Sequence, residues 1–299
     1  MKLIWQSKVV LLLVLPFAGA SLVLQAHWWA VHCWPVAVWT LGLSLLFGLA
    51  VLQLGAATPA AAFAGMAIAA SLMFSTLTFT PAEAIAYVPW HTALVPVLAV
   101  FLLAFLATRL GRAGKERLGL AEQRHGRTSA QVAANLGVAA IAISEPVQSW
   151  LIGSGWFSRA TVAPMPLFAV GLAALAEAAA DTVSSEVGQV LGGRPRMLTT
   201  LRLVEPGTDG GVSLFGTLAG VAAACIVAAA GSLALGGGRT MFWTSSAGAV
   251  FGLFFDSLLG ATLERRGWLN NDAVNFLSTA SAAGFALGVL AILSYHGAG

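Results

Sequence analysis

Carboxylates inside long apolar runs are the first residues to question, because an ionised side chain at mid-bilayer costs roughly 3 kcal/mol or more and persists where it has a task. Glu177 and Asp181 stand four residues apart in such a run. A helix sets them about 40° apart on one face, and Ser184, Ser185 and Gly188 continue that face. Asp256 lies in a second run, FGLFFDSLLG, and Gln131 and Asn135 share a helix face in a third. Asn270, Asn271, Asp272 and Asn275 surround the start of the last apolar segment. Asp181, Asp256 and Asp272, with these amide oxygens, form a donor set for a hard divalent cation, most simply Mg2+ shared with phosphates. The plain alternative for Asp272 is a helix N-cap. For Gln131 and Asn135 it is hydrogen bonding between helices.

The connection 192–211, GGRPRMLTTLRLVEPGTDGG, carries Arg194, Arg196 and Arg202 and then Gly207, Thr208, Asp209, Gly210 and Gly211 before Ser213 and another apolar run. A glycine-rich stretch entering a helix presents free N–H groups and a positive dipole end, which suits phosphate. A flexible turn with a Ser213 cap fits the spacing equally well, since neither the GxxxxGK[ST] nor the GxGxxG pattern is present. Together these parts suit phosphoryl transfer, in which a cation bridges phosphates, cationic side chains neutralise developing charge and N–H groups hold the transferred group. On this reading Glu177, Asp181, Asp256, Gln131 and Asn135 form the catalytic set. The three arginines, residues 207–211, Ser213, Asn270, Asn271 and Asn275 hold phosphates.

The elements that must position these residues are membrane helices. Hydrophobic residues make up 58% of the 299 and charged ones 9%, too few to coat a soluble globule of this size. Nine stretches can span hydrocarbon, which takes about 20 helical residues. They lie near 9–26, 35–55, 59–80, 90–108, 129–151, 165–191, 212–235, 241–263 and 273–295. The predicted fold is an all-α polytopic bundle with the N-terminus inside and the C-terminus outside. That orientation retains thirteen of the fifteen Lys and Arg on the cytoplasmic side, leaving Arg159 and Arg239 outside. The uncharged connection Gly55–Pro59 is the joint on which the alternation depends.

Three regions follow: a four-helix part over 1–108 whose only acid is Glu83, a basic linker over 109–128, and a five-helix catalytic part over 129–299. Lys2, Lys8 and Ala18-Gly19-Ala20 also permit a cleaved signal peptide, although an uncleaved first helix is simpler. Trp5, Trp28, Trp29, Trp34 and Trp90 are placed as interfacial anchors. Cys33 and Cys225 are too few for a disulfide framework or a metal site. The basic pI is accounted for by topology and anionic lipid, so no nucleic-acid partner is expected.

The motifs AEAAADTVSSEVGQVLGGRP, VEPGTDGGVSLFGTLAG, FDSLLGATLE and LNNDAVNFL, with QVAAN upstream, resemble the integral membrane family that includes plastid phytyl-phosphate kinase. The resemblance covers about 127–290. A looser one reaches the CTP-dependent polyprenol kinases and phosphatidate cytidylyltransferase, where Asp256-Ser257, Arg265-Arg266 and Asp272 look similar to an acidic-Ser helix, a basic pair and an aspartate. The cytidylyltransferase Pro-Gly-His-Gly-Gly run is missing, which argues against nucleotidyl transfer. What the resemblance implies is a Mg2+-dependent kinase at the cytoplasmic face of a bacterial-type inner membrane. It would take a phosphoryl group from CTP or another NTP to an isoprenyl monophosphate, with membrane lipid as a further partner and a homodimer as an option. Such an acceptor is already an anion, so no catalytic histidine is needed. Two other readings stand beside it: a transporter or flippase of a lipid phosphate, and a small-residue scaffold using the Gly216/Gly220 spacing.

Overall fold

The computed structural model describes residues 4–77, 87–117, 126–154 and 164–296. Lys2, Glu83, Arg124 and Arg159, which entered the charge reading, lie outside the described residues. The helices are α1 (Ile4–His32), α2 (Trp34–Gln53), α3 (Pro59–Ser75), α4 (Leu94–Arg109), the short α5 (Arg112–Arg117), α6 (Ser129–Ile143), α7 (Glu145–Gly153), α8 (Pro164–Leu191), α9 (Leu214–Ala234), α10 (Gly238–Leu259) and α11 (Asn271–His296). The all-α bundle read from composition is what the chain forms. Six of these helices are long and apolar enough to cross a membrane. Helices α6 and α7 form one further span bent by 51°, and α3 and α4 are shorter apolar helices.

Local chemistry sets the ends. Pro stands first in α3 and second in α2 and α7, in the opening turn where its missing N–H costs nothing. Thr58 caps α3, and Thr128 with Gln131 closes a capping box on α6. Gly55, at φ +64°, lets the chain reverse between α2 and α3, the joint on which the alternation rests. Its neighbour Ala57 bridges to Arg127 ahead of α6.

Helix α8 is the axle. It packs on α4, α6, α9, α10 and α11, and its run from Leu167 to Ala180 is almost wholly buried. Small residues permit this closeness. A Cβ on Gly220 would press on the Ala180 carbonyl, and one on Gly248 on that of Ala282. Helices α1 and α3 close the other side against α6, with Val14 filling the notch left by Gly137. Trp5, Trp28, Trp34 and Trp90 are exposed, but Trp29 is buried against Val36, Ala37 and Phe74, a packing residue instead of an interfacial one.

Helix ends sort into two groups. At one end Ser7 at the start of α1 meets Asp272 of α11, Arg109 at the end of α4 meets the Leu54 carbonyl beyond α2, and Thr58 meets Arg127. At the other end Thr40 of α2 meets Tyr87, and Gln25 of α1 meets Ser75 of α3. Successive helices therefore run antiparallel.

Candidate active site

Two cavities occur at the end where α8 finishes. The polar one, about 270 Å³, lies among the last turns of α8 and α10, the first turns of α9 and α11 and the loop before α9. Asp181 and Asp256 enter from α8 and α10, close enough for each carboxyl to act on the other. Two carboxyls this close repel unless a proton or a cation is shared between them. Asp256 Oδ1 is buried and has no hydrogen-bond partner in the structure.

The loop folds into the hairpin β1 (Arg196–Met197) and β2 (Gly211–Val212), paired antiparallel. It presents Gly207, Thr208, Asp209, Gly210, Gly211 and Ser213 to the cleft, six of the nine residues in this connection and helix start that were expected to hold phosphate. Gly210 has φ +72°, and a Cβ there would overlap the Ala261 backbone, so glycine is required for the loop to lie on α10. Ser213 caps α9 by accepting from Gly216 N–H at 3.2 Å. Asp209 is exposed, yet partial loss of hydration pushes its carboxyl above the ordinary value of 3.8, with Arg265 pulling the other way.

Glu264, absent from the sequence reading, also lines the cleft. Eight residues of regular helix would leave it about 80° from Asp256. Residues Gly260–Glu264 instead make a π turn, whose extra residue carries Glu264 back to that side. Arg127 is the other omission. Its guanidinium lies in electrostatic range of Asp181 and donates to Thr182 Oγ1 at 3.2 Å.

Asn271 and Asn275 line the cleft, and Asn275 Nδ2 donates to Asn135 Oδ1 at 3.1 Å. Other expected members stand elsewhere. Arg194 pairs with Glu205 at the surface, Arg196 donates to the Leu201 carbonyl, and Arg202 is exposed. In the hairpin Arg196 faces out while its neighbour Met197 is buried, the ordinary alternation of a strand. Gln131 is spent on the capping box. Asn270 is the N-cap of α11, accepting from Ala273 N–H at 2.9 Å, so the cap belongs to Asn270 and not to Asp272. Asp272 accepts from Ser7 and does not line the cleft. Glu177 is buried one turn behind, against Gly252 and in contact with the Ser278 hydroxyl.

The described lining therefore carries Asp181, Asp209, Asp256 and Glu264 and no Lys or Arg. So acidic a cleft favours cations, and phosphate enters it as a cation complex more readily than as a bare anion. Among the described residues no group of three His, Cys, Asp or Glu is disposed to hold a metal. Magnesium at phosphate sites is held by one or two carboxylates plus phosphate oxygens and water, which the Asp181–Asp256 pair and its orphaned oxygen fit.

The second cavity, about 140 Å³, is apolar and lies among α2, α3, α4 and α6. Arg109, Arg112 and Arg127 stand at its polar end, and Asn135 and Ala178 form its inner wall.

Comparison with known proteins agrees with the motifs. An uncharacterized membrane protein of Methanocaldococcus jannaschii is 42% identical over 119 residues, which cover 40% of this chain and 49% of that one. An uncharacterized membrane protein of Synechocystis is 35% identical over 67% of this chain and 74% of its own. Protein VTE6, chloroplastic, of Arabidopsis thaliana is 30% identical over 71% of this chain and 60% of its own length. This chain thus spans about half of the first relative and three fifths of the third. No solved structure matches it. Residues 42–283 match the family described as Integral membrane protein DUF92, so the chain belongs to that family.

Proposed function

We propose that the polar cleft is the active site of a kinase that converts an isoprenyl monophosphate to its diphosphate with CTP or another NTP and Mg2+. The observation that carries the reading is the half-buried pair Asp181 and Asp256, with the buried, unpartnered Oδ1 of Asp256, in a cleft roofed by a glycine loop and a helix N-terminus. The substrate class rests on the resemblance to the family that includes plastid phytyl-phosphate kinase.

In this reaction an oxygen of the acceptor phosphate forms a bond to the terminal phosphorus of the nucleotide. The bond from that phosphorus to the bridging oxygen breaks, and the nucleoside diphosphate leaves with the electron pair. No proton need be removed, because the monoester is an anion near neutral pH. A bound Mg2+ supplies neutralisation of the phosphate charge. Asp181 and Asp256 would hold it, the N–H group of Gly210 would orient a phosphate while that of Gly211 holds the loop closed on the Thr208 carbonyl, and Asn271 and Asn275 would fix the acceptor head. Placement on the packed helices α8 and α10 keeps the two carboxyls from moving during transfer. The site would face the cytoplasm of a bacterial-type inner membrane.

A lipid-phosphate carrier should be broken where it binds its cargo. The break in this chain, at Ser144 between α6 and α7, is about 20 Å along α6 from the cleft end, so it does not mark the site.

The test is transfer from each labelled NTP to phytyl, geranylgeranyl and farnesyl monophosphate by detergent-purified protein, with Asp181→Asn and Asp256→Asn alongside. Diphosphate made by the wild type and lost in both variants supports the reading. Turnover that survives both substitutions removes the site, and folded protein that makes no diphosphate removes the reaction.

A further inference from the structure

The apolar cavity is separated from the polar cleft by only a few side chains. Asn135 faces the cavity and bonds Asn275, which faces the cleft. Arg127 lines the cavity while its charge acts on Asp181. On α8, Ala178 faces the cavity and Asp181, three residues on, faces the cleft. Aromatic and small side chains form the interior, among them Phe47, Gly48, Phe101 and Ala104. Cations collect at one end: Arg109 stacks on Phe105 at 4.1 Å, and Arg112 and Arg127 stand beside it, with no carboxylate in the described lining.

The cavity has a side door. Helices α2 and α4 do not pack along their length, meeting instead through the edge-on pair Phe47–Phe101 and through Arg109 on the Leu54 carbonyl. The outward side chains on both, Leu46 and Leu49 on α2 and Leu102 and Leu106 on α4, are exposed and apolar. An elongated apolar molecule can enter here from the bilayer without crossing water.

We propose that this cavity seats the head-proximal end of a single-chain isoprenyl phosphate, with Arg127 and Asn135 passing its phosphate to the Asp181–Asp256 cleft. The identity of that occupant rests on the kinase reading above; the call for an anionic head on an apolar chain rests on the arginines and the lining. A cavity near 140 Å³ holds a group about the size of benzene, so it encloses roughly the first isoprene unit. The remaining chain lies between α2 and α4 in the bilayer. Affinity therefore depends on the first unit and hardly on total length.

The experiment is photolabelling in detergent, without nucleotide or metal, by farnesyl monophosphate bearing a diazirine on its first isoprene unit, followed by peptide mapping. Labels are expected on the segments around Gly48 and around Phe101–Ala104, with unlabelled geranylgeranyl and farnesyl monophosphates competing equally. Ala104→Leu, which fills the cavity, should cut labelling about tenfold. Arg127→Gln should cut the preference for the phosphate over the matching alcohol about tenfold and leave alcohol labelling intact, which also reports that the variant is folded. Labels confined to α8–α11, labelling indifferent to both substitutions, or displacement by bilayer phospholipid as effective as by prenyl phosphate would each overturn the proposal. Labelling as expected in protein that makes no diphosphate upholds this site while removing the kinase reading. Diphosphate formation with labels elsewhere does the reverse.

Discussion

Asp181 and Asp256 place two carboxyls together in a setting where neither has a cationic partner on its own helix, and the cost falls on the metal-free protein. Replacing Asp256 by Asn removes one half-buried charge and should raise metal-free stability by about 1–3 kcal/mol. The same change should lower turnover by on the order of 100- to 1,000-fold. Thermal unfolding in EDTA, set beside the transfer assay, reads both; a variant that loses both activity and stability would mean a structural carboxylate. Asp209 offers a pH signature. Its folded carboxyl lies above 3.8, so its protonated form is favoured by folding. That contribution is fully present below 3.8 and is lost as pH rises through the raised value. Asp209→Asn should therefore flatten the fall of stability with pH just above the ordinary aspartate range, as measured by melting temperature from pH 4 upward in steps of about one unit.

At the scale of elements, the glycine loop and the π turn at the end of α10 form one joint. Gly193 and Gly210 both have positive φ, but a Cβ on Gly193 points into open space whereas one on Gly210 meets the Ala261 backbone. Gly193→Ala should cost roughly 1–2 kcal/mol. Gly210→Ala should cost more and also impair transfer, a difference that paired melting and activity measurements resolve. What was legible follows the same line. Asp181 and Asp256 were found because a carboxylate in an apolar run is visible without knowing its neighbours. Gln131 shares a helical face with Asn135 in the sequence, but Thr128-x-x-Gln131 also spells a capping box, and that helix-start chemistry is what the structure shows for it. Arg194, Arg196 and Arg202 were drawn into the site by proximity in sequence, but the hairpin that turns Arg196 outward depends on pairing with residues 211–212. Glu264 could not be seen because a π turn leaves no sequence signal in a helical-wheel argument. Arg127 was counted only as topology, and its role comes from a tertiary approach to α8.

For the whole molecule, the two sets of helix ends require the cleft and the apolar cavity to open at the same end of the bundle. If that end is cytoplasmic, as the charge distribution predicts, single cysteines at Thr208 and at Arg239 in a Cys33→Ser, Cys225→Ser background should behave oppositely. A membrane-impermeant maleimide added to intact cells should label the Arg239 position and spare the Thr208 position. The reverse pattern would invert the bundle and place the cleft where nucleotide is scarce. The division into an N-terminal four-helix part and a C-terminal five-helix part takes on a physical meaning through the cavities: one part provides most of the apolar chamber, the other the acidic cleft.

The clasp between α1 and α11 bears on how the protein is made. Gln6 accepts from Asn270 N–H and donates to the Trp268 carbonyl, and Ser7 donates to Asp272 across 265 residues of chain. The first helix leaves the ribosome long before its partner exists. Until α11 arrives, α10 and α8 have no wall bearing Asn271 and Asn275, and the carboxyls at their ends face whatever the translocon offers. Assembly of the cleft thus waits on α11, and a stalled nascent chain that ends before residue 270 would hold every acidic side chain of the described lining yet lack the wall that encloses them.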